Sequence, residues 1–452
     1  MDKNTSNARA VAIFDKRDNL IGLEGRNGKK WSVGKASLAE RLMSARQRAR
    51  GFNWIEGGVM ATPPTVTQGA IGMALPAGMT AMADRRLATN RAAYRVRGTG
   101  GVAFEENIGG SNYIRYASER TNTAGGLAYG KGTWEVTIPT DSRYVAFELL
   151  GSATMAYMVY VRDLVGSNSG LTAANGHNIG AANQTLLIDF GAAGDREVTL
   201  LMGSSDHGIR AYAIEDTASV FNVAQDDLRW LVKGDSLVWG SMSPPPNYVG
   251  RAMGDVMRAL MGCDVVCQGI GASGYIAGNN LQNAYRQEDA AKVGADLNLV
   301  LLGVNDVGAV PIITGPALQD AVKRSISGMV DRGMSEPIIV GGPWAMNRNS
   351  VGASQAKTNL LQVEADIAAA VESLAEPRIV FLPMSTPGMA TPWGGVCDPW
   401  ITGEQKTNST AGSVGNSRRV VGDDTHPSLY GALYQGRRLV NECIRTAVYR
   451  GW

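Results

Sequence analysis

The spacing of apolar and polar positions changes character along this chain. Between residues 91 and 225 apolar positions alternate with polar ones over short runs. Met155, Tyr157, Val159 and Val161 share one face of such a run, and Val198, Leu200 and Met202 share one face of another. A period of two is that of a half-buried strand. It predicts strands over 133–138, 144–150, 155–161, 184–190, 196–202 and 208–214, separated by Gly-rich turns such as GAAGDRE and GSSDHG. Short strands at this spacing predict a β-sandwich, jelly-roll-like, over 91–225. From 226 to 452 the pattern becomes near-continuous apolar runs, such as LNLVLLG and PIIVGG, alternating with helix-period stretches. Such runs suit a parallel sheet covered on both faces. Strands are predicted at 228–233, 264–268, 297–302, 337–340 and 378–382, and helices at 248–261, 280–293, 317–331, 353–374 and 427 to 449. Residues 226–452 therefore read as a three-layer α/β domain.

Residues 1–50 form a separate small element. AVAIFDKRDNLIGLEG carries two apolar runs around a polar turn, a hairpin signal. Ser37 and Glu40 fit a capping box, followed by Leu38, Leu42 and Ala45 at helical spacing, with Arg41, Arg46, Arg48 and Arg50 at other positions. Two readings stay open for this helix: attachment to a partner, or an ordinary amphipathic helix with a solvated charged face. Residues 51–90, rich in Gly, Ala, Met, Thr and Pro with little periodicity, read as a linker or extended arm.

Composition narrows the function classes. A length of 452 residues implies two or three domains. Lys plus Arg number 43 against 41 Asp plus Glu, which argues against a nucleic-acid partner. No run of about 18 apolar residues occurs, so no membrane partner is expected, and the opening residues lack the apolar core of a secretory signal. The four cysteines, Cys263, Cys267, Cys397 and Cys443, make no C-x-x-C pair and read as reduced, buried thiols. With only His177, His207 and His426 available, no metal site is expected. His177 and His207 fall in turn sequences and read as solvated.

Three features at predicted strand ends carry chemistry. Lys233-Gly234-Asp235-Ser236-Leu237 follows the first strand of the α/β domain and would present Ser236 as a nucleophile after a Gly turn. It is not the G-x-S-x-G elbow. Gly303-Val304-Asn305-Asp306 follows LNLVLL, where the Asn305 amide could donate to an oxyanion. Asp423-Asp424-Thr425-His426-Pro427 precedes the last helix. His426 could take the serine proton, and an Asp three residues upstream could orient its ring. Each has a plain alternative: a turn, an Asx turn, a helix cap.

Taken together, in this order, these segments resemble the blocks of the SGNH hydrolases, the GDSL-type esterase superfamily, over residues 228–449. The resemblance implies a flavodoxin-like parallel sheet and acyl transfer through an acyl-enzyme. It makes Ser236 the nucleophile, His426 the general base and then acid, and Asp423 its orienting partner, with Asp424 as competitor. Ser236 N–H, a backbone N–H at Gly271 or Ala272, and the Asn305 side chain would form the oxyanion hole. The family's second block usually has an Asn where this chain has Cys267, in Val266-Cys267-Gln268-Gly269-Ile270-Gly271-Ala272-Ser273-Gly274-Tyr275. No metal or organic cofactor is implied.

The resemblance spans lipases, thioesterases, arylesterases and carbohydrate O-deacetylases. Trp344, Trp393 and Trp400 lie near strand-end loops and would suit stacking on sugar rings, the other reading being that they pack loops. Phe totals seven and no Leu/Phe-rich lid occurs, which disfavours a lipase. The expected function is removal of O-acetyl groups from a bacterial surface polysaccharide. The layout is similar to that of a phage tail spike, with attachment to a virion or baseplate through residues 1–50 and a homotrimeric state. The alternatives are a cytoplasmic small-ester or thioester hydrolase, and a glycan-binding tail protein or adhesin without turnover.

Overall fold

A computed structural model describes residues 11–14, 20–24, 30–32, 36–49, 58–79, 94–98, 104–108, 111–115, 133–151, 156–203, 207–221, 228–240, 249–278, 286–344, 353–400 and 426–452. At the N-terminal end β1 (Val11–Phe14), β2 (Leu20–Glu24) and β3 (Lys30–Ser32) make an antiparallel sheet, one strand more than the expected hairpin. Helix α1 (Leu38–Ala49) follows. Its capping box forms: Glu40 N–H donates to Ser37 Oγ at 3.2 Å, and Ser37 N–H donates to Glu40 Oε2 at 2.8 Å.

The all-β part consists of β4 (Thr65–Ala70), β5 (Arg95–Arg97), β6 (Phe104–Ile108), β7 (Ser111–Arg115), β8 (Trp134–Thr140), β9 (Tyr144–Leu149), β10 (Met158–Asp163), β11 (Gly170–Leu171), β12 (Gln184–Asp189), β13 (Arg196–Met202) and β14 (Ile209–Ile214). They form two sheets, in the orders β11-β10-β13-β8-β5 and β4-β12-β9-β14-β7-β6. Tyr157, Val159, Val161, Val198, Leu200 and Met202 lie in the core shared by both sheets, the face that their alternation assigned. Strand β4 was not expected. It lies within the stretch read as linker or arm, and pairs along its whole length with β12, from Thr65↔Asp189 to Ala70↔Gln184. Its side chains are mostly exposed, so backbone pairing places it and no apolar face advertises it.

The α/β part runs β15 (Arg229–Gly234), α2 (Ser236–Trp239), α3 (Met253–Met261), β16 (Asp264–Gly269), α4 (Arg286–Val293), β17 (Leu297–Leu301), α5 (Val304–Val307), α6 (Pro316–Asp331), β18 (Ile338–Gly341), α7 (Ala353–Ser373), β19 (Ile379–Leu382) and α8 (Leu429–Arg450). The five strands are parallel in the order β16-β15-β17-β18-β19. Trp230 and Val232 pack on one face with Met257 of α3 and Val440 of α8. Leu231, between them, packs on the other with Val322 and Ile326 of α6 and Val363 of α7. This alternation from buried strands makes the three layers. Strand order reverses at β15, which puts the topological switch point at the carboxyl ends of β15 and β17.

Helix α1 packs against α3 and α8, burying Ala39, Leu42 and Ala45 in the same core as Trp230. Ala39 N–H donates to the carbonyl of Trp452 at 3.1 Å, and Arg41 pairs with Asp296 at 2.8 Å. The apolar face of this helix is thus occupied by its own chain.

The two halves meet through a buried polar seam. Arg258, in α3 and fully enclosed, donates to Thr133 O at 2.8 Å, Thr133 Oγ1 at 2.6 Å and Val265 O at 3.0 Å, and pairs with Asp255. Glu135 of β8 lies 3.7 Å from its Nε. Arg97 of β5 bridges Glu135 at 3.3 Å and the carbonyl of Gly262 at 2.7 Å. Around these charges Met158, Tyr160 and Leu201 of the sandwich meet Val249 and Ala259.

Both sandwich histidines are buried, which corrects the solvated reading. His177 Nε2 lies 2.7 Å from Thr172 Oγ1. His207 stacks on Tyr157 with ring centroids 3.8 Å apart, and its Nδ1 accepts from Gly203 N–H at 2.8 Å. Turn composition hid this, because cross-strand stacking joins residues fifty positions apart. All four cysteines are buried thiols, and burial pushes Cys267 up to about 12 and Cys397 up to about 11.

Candidate active site

The carboxyl end of β15 shows why its sequence is as it is. A Cβ on Gly234 would meet Val238 Cγ2 at 2.2 Å and Leu301 O at 2.6 Å, so only glycine lets the chain turn there. Asp235 caps the short helix α2, accepting from Leu237 N–H at 2.9 Å. Ser236 is then the first residue of α2. Across from it a Cβ on Gly269 would meet Trp239 N at 2.1 Å, so the end of β16 lies directly against this turn.

Two of the expected residues, 190 positions apart, meet here. His426 Nε2 lies 3.1 Å from Ser236 Oγ. Ser236 is 7% exposed and His426 half-buried. His426 is placed by the start of α8, where Ser428 Oγ accepts from Gly431 N–H at 3.2 Å. Such a pair can transfer the serine proton to the ring. Asp423 and Asp424 lie outside the described residues.

Asn305 sits at the carboxyl end of β17, in the first turn of α5, and is buried. Its Nδ2 donates to the carbonyl of Ser273 at 2.9 Å, which fixes the amide plane. In the loop after β16, Ile270 N–H donates to Gly234 O, Ser273 N–H to Ile270 O and Gly274 N–H to Ala277 O. Gly271 and Ala272 remain the two candidates for the second backbone donor. Ala272 has φ +57°, a left-handed conformation that costs an L-residue about 1–2 kcal/mol. Cys267, where the resembled family often has Asn, is 1% exposed, with its sulfur against Gly254 of α3. It belongs to the core. A buried thiol with its pKa raised to about 12 is inert as a nucleophile at neutral pH.

Of the two readings open for the tryptophans, stacking on sugar rings or packing loops, burial favours packing for Trp344 and Trp400. Trp344 and Trp400 are each 3% exposed and belong to the core below the sheet. Both border an interior void of about 20 Å³, too small for a sugar ring. Trp393 is half-buried, with the Arg445 guanidinium 5.3 Å from its ring centroid and its Nε1 donating to Glu442. A Cβ on Gly395 would meet its ring at 1.9 Å. Position after a strand end cannot tell an inward Trp from an outward one, because both satisfy the same apolar pattern. An open cavity of about 540 Å³ runs along α8, bordered by Trp393 and Trp400 together with Tyr430, Tyr434, Arg437 and Arg445; Ser236, Asn305 and His426 do not line it. Tyr430, 63% exposed, is the second residue of α8 and stands four positions beyond His426 in the sequence.

Among the described residues, no group of three His, Cys, Asp or Glu is placed to hold a metal ion, and no helix is long and apolar enough to cross a membrane.

No family model and no curated protein sequence matches the chain. Solved structures do. A family two carbohydrate esterase from Cellvibrio japonicus is similar over 85% of this chain and 99% of its own, with 13% identity and a TM-score of 0.52. A candidate GDSL-like lipase from Bacteroides ovatus is similar over 83% and 96%, with 14% identity and a TM-score of 0.51. The salicylyl-acyltransferase SsfX3 of a tetracycline biosynthetic pathway is similar over 78% and 95%, with 16% identity and a TM-score of 0.52. At these identities the likeness is one of fold. The chain has the SGNH, or GDSL-type, hydrolase fold, and coverage this broad includes β structure ahead of the α/β part.

Proposed function

We propose that this chain is a serine esterase of SGNH type that removes acetyl groups from a carbohydrate. The observation that carries the reading is the 3.1 Å contact of His426 Nε2 with Ser236 Oγ at the carboxyl end of the switch-point strand. In the proposed scheme Ser236 Oγ attacks the ester carbonyl carbon while His426 takes its proton. The oxyanion is held by Ser236 N–H, by the N–H of Gly271 or Ala272, and by Asn305 Nδ2. Collapse breaks the bond to the sugar oxygen, which leaves with the proton from His426. Water, activated by the same imidazole, then hydrolyses the acetyl-serine, and Asp423 orients the ring. The scheme uses no metal or organic cofactor.

A carbohydrate substrate is supported by the fold neighbour from Cellvibrio japonicus. An O-acetylated bacterial surface polysaccharide is the specific substrate proposed, on the layout of the sequence. A virion tail location and a trimeric state rest on that layout too. Acetate release from O-acetylated polysaccharides, compared with turnover of p-nitrophenyl esters of increasing acyl length, tests the reading. Acetate release with turnover falling steeply beyond acetyl is the expected result. Preference for long acyl chains with intact glycan acetylation would overturn it in favour of a small-ester hydrolase. Binding of glycan with no turnover of any ester would favour an adhesin.

A further inference from the structure

Asp306 follows Asn305 and is used nowhere in the scheme above, yet it is fully buried at the carboxyl end of β17. Its carboxylate accepts from three successive backbone amides of the loop after β16. These are Tyr275 N–H at 2.8 Å, Ile276 N–H at 3.0 Å and Ala277 N–H at 2.9 Å. The approach is close enough to dictate sequence, since a Cβ on Gly274 would meet Asp306 Oδ2 at 2.3 Å. One residue upstream, Asn305 Nδ2 donates to Ser273 O at 2.9 Å. The loop's first half is tied by Ser273 Oγ, which donates to Ile270 O at 2.7 Å. Between these ties lies Ala272, at φ +57°. A non-glycine residue keeps such a conformation only where its surroundings hold it.

We infer that Asp306 is a positioning residue for the oxyanion hole, a role that rests on the esterase reading above. It grips residues 275–277 and so fixes the loop that carries the Gly271/Ala272 donor. In return the gripped loop presents Ser273 O to aim the Asn305 amide. Two donors from different strands are thereby held in one register by adjacent side chains of a single turn. The carboxylate touches neither substrate nor the reacting serine in this account. Its effect appears only when negative charge develops on the carbonyl oxygen, because ground-state binding needs no such alignment.

The test uses the full chain with Asp306→Asn, which keeps the shape but replaces one acceptor oxygen with a donor. Gly274→Ala serves as a second variant that pushes the carboxylate aside while retaining its charge. Three readings are taken on each: kcat and KM for p-nitrophenyl acetate, the inhibition constant of an alkylboronic acid that forms a tetrahedral serine adduct, and amide hydrogen exchange over 270–278. Misplacement of a donor by a fraction of an ångström to about 1 Å predicts a kcat loss of about 10- to 100-fold with KM within about twofold. Boronate affinity should fall by a similar factor, and the loop amides should exchange faster. A variant that merely destabilised the fold would lower the active fraction and leave boronate affinity per active site unchanged. That outcome, or wild-type kcat in both variants, overturns the role of Asp306 and leaves the esterase reading standing. A wild-type chain with no turnover and no boronate binding overturns both.

Discussion

Ser236 and His426 meet across a 3.1 Å hydrogen bond between two element ends, whereas Arg258 sits mid-helix and is held by Thr133, Val265, Asp255 and Glu135 at once. The candidate site uses ends of elements because there the backbone turns and can aim a side chain. The seam uses enclosed charges because its partners must come from both halves. Thr133 and Glu135 belong to the sandwich, and Asp255 and Arg258 to the α/β part. The difference teaches that the two regions should fail differently: changes at the site alter rate in a folded chain, and changes at the seam alter folding while leaving the chemistry of folded molecules intact.

The largest expected effect is that of Ser236→Ala, which should lower p-nitrophenyl acetate turnover by about 10³-fold or more without moving the urea midpoint. Arg258→Met comes next. It leaves Asp255 buried without its cation and Glu135 with Arg97 alone, and should cost about 3–5 kcal/mol in equilibrium unfolding, with turnover per folded molecule near wild type. An unchanged midpoint would mean that the seam is not a stabilising element. Asn305→Ala should lower kcat by about 10²–10³ with little change in KM, and with the midpoint displaced far less than by Arg258→Met. Thr133→Val removes a hydroxyl that donates to Asp255 and accepts from Arg258, and about 1–3 kcal/mol should be lost.

The smallest effect is a pH dependence of the sandwich. Burial holds His177 below its ordinary pKa of 6.5, so the folded state favours the neutral ring. Its contribution to stability is full above that ordinary value and is lost as pH falls through it towards the lower folded value. Urea midpoints at about pH 7.5 and about pH 5.5 should therefore differ more in wild type than in His177→Gln. Equal pH sensitivity in both chains would show that other groups dominate.

How much could be read in advance follows the same division. Gly234-Asp235-Ser236, Gly303-Val304-Asn305 and the residues before α8 each lie beside an apolar run, so short-range sequence located them. The strands of the parallel sheet announced themselves by being buried on both faces. The seam did not, because Arg258 and Thr133 are 125 positions apart and nothing local marks an arginine as enclosed. Strand β4 escaped because its sequence, TVTQGA, is exposed and becomes a strand by pairing with β12. For Trp344 and Trp400 the sequence leaves sugar stacking and loop packing both open, and the structure buries both rings, since a ring's direction depends on layers assembled from distant segments. Asp306 stood in plain view next to Asn305, but its three acceptor bonds appear only once the loop after β16 is folded beside it.

The most direct test of the account is to map the residue that a fluorophosphonate labels in the native chain, by peptide mass spectrometry. The account predicts a single adduct on Ser236, formed in wild type and suppressed in His426→Ala, because the imidazole must take the serine proton. An adduct on another residue, or none in a chain that hydrolyses p-nitrophenyl acetate, would contradict it.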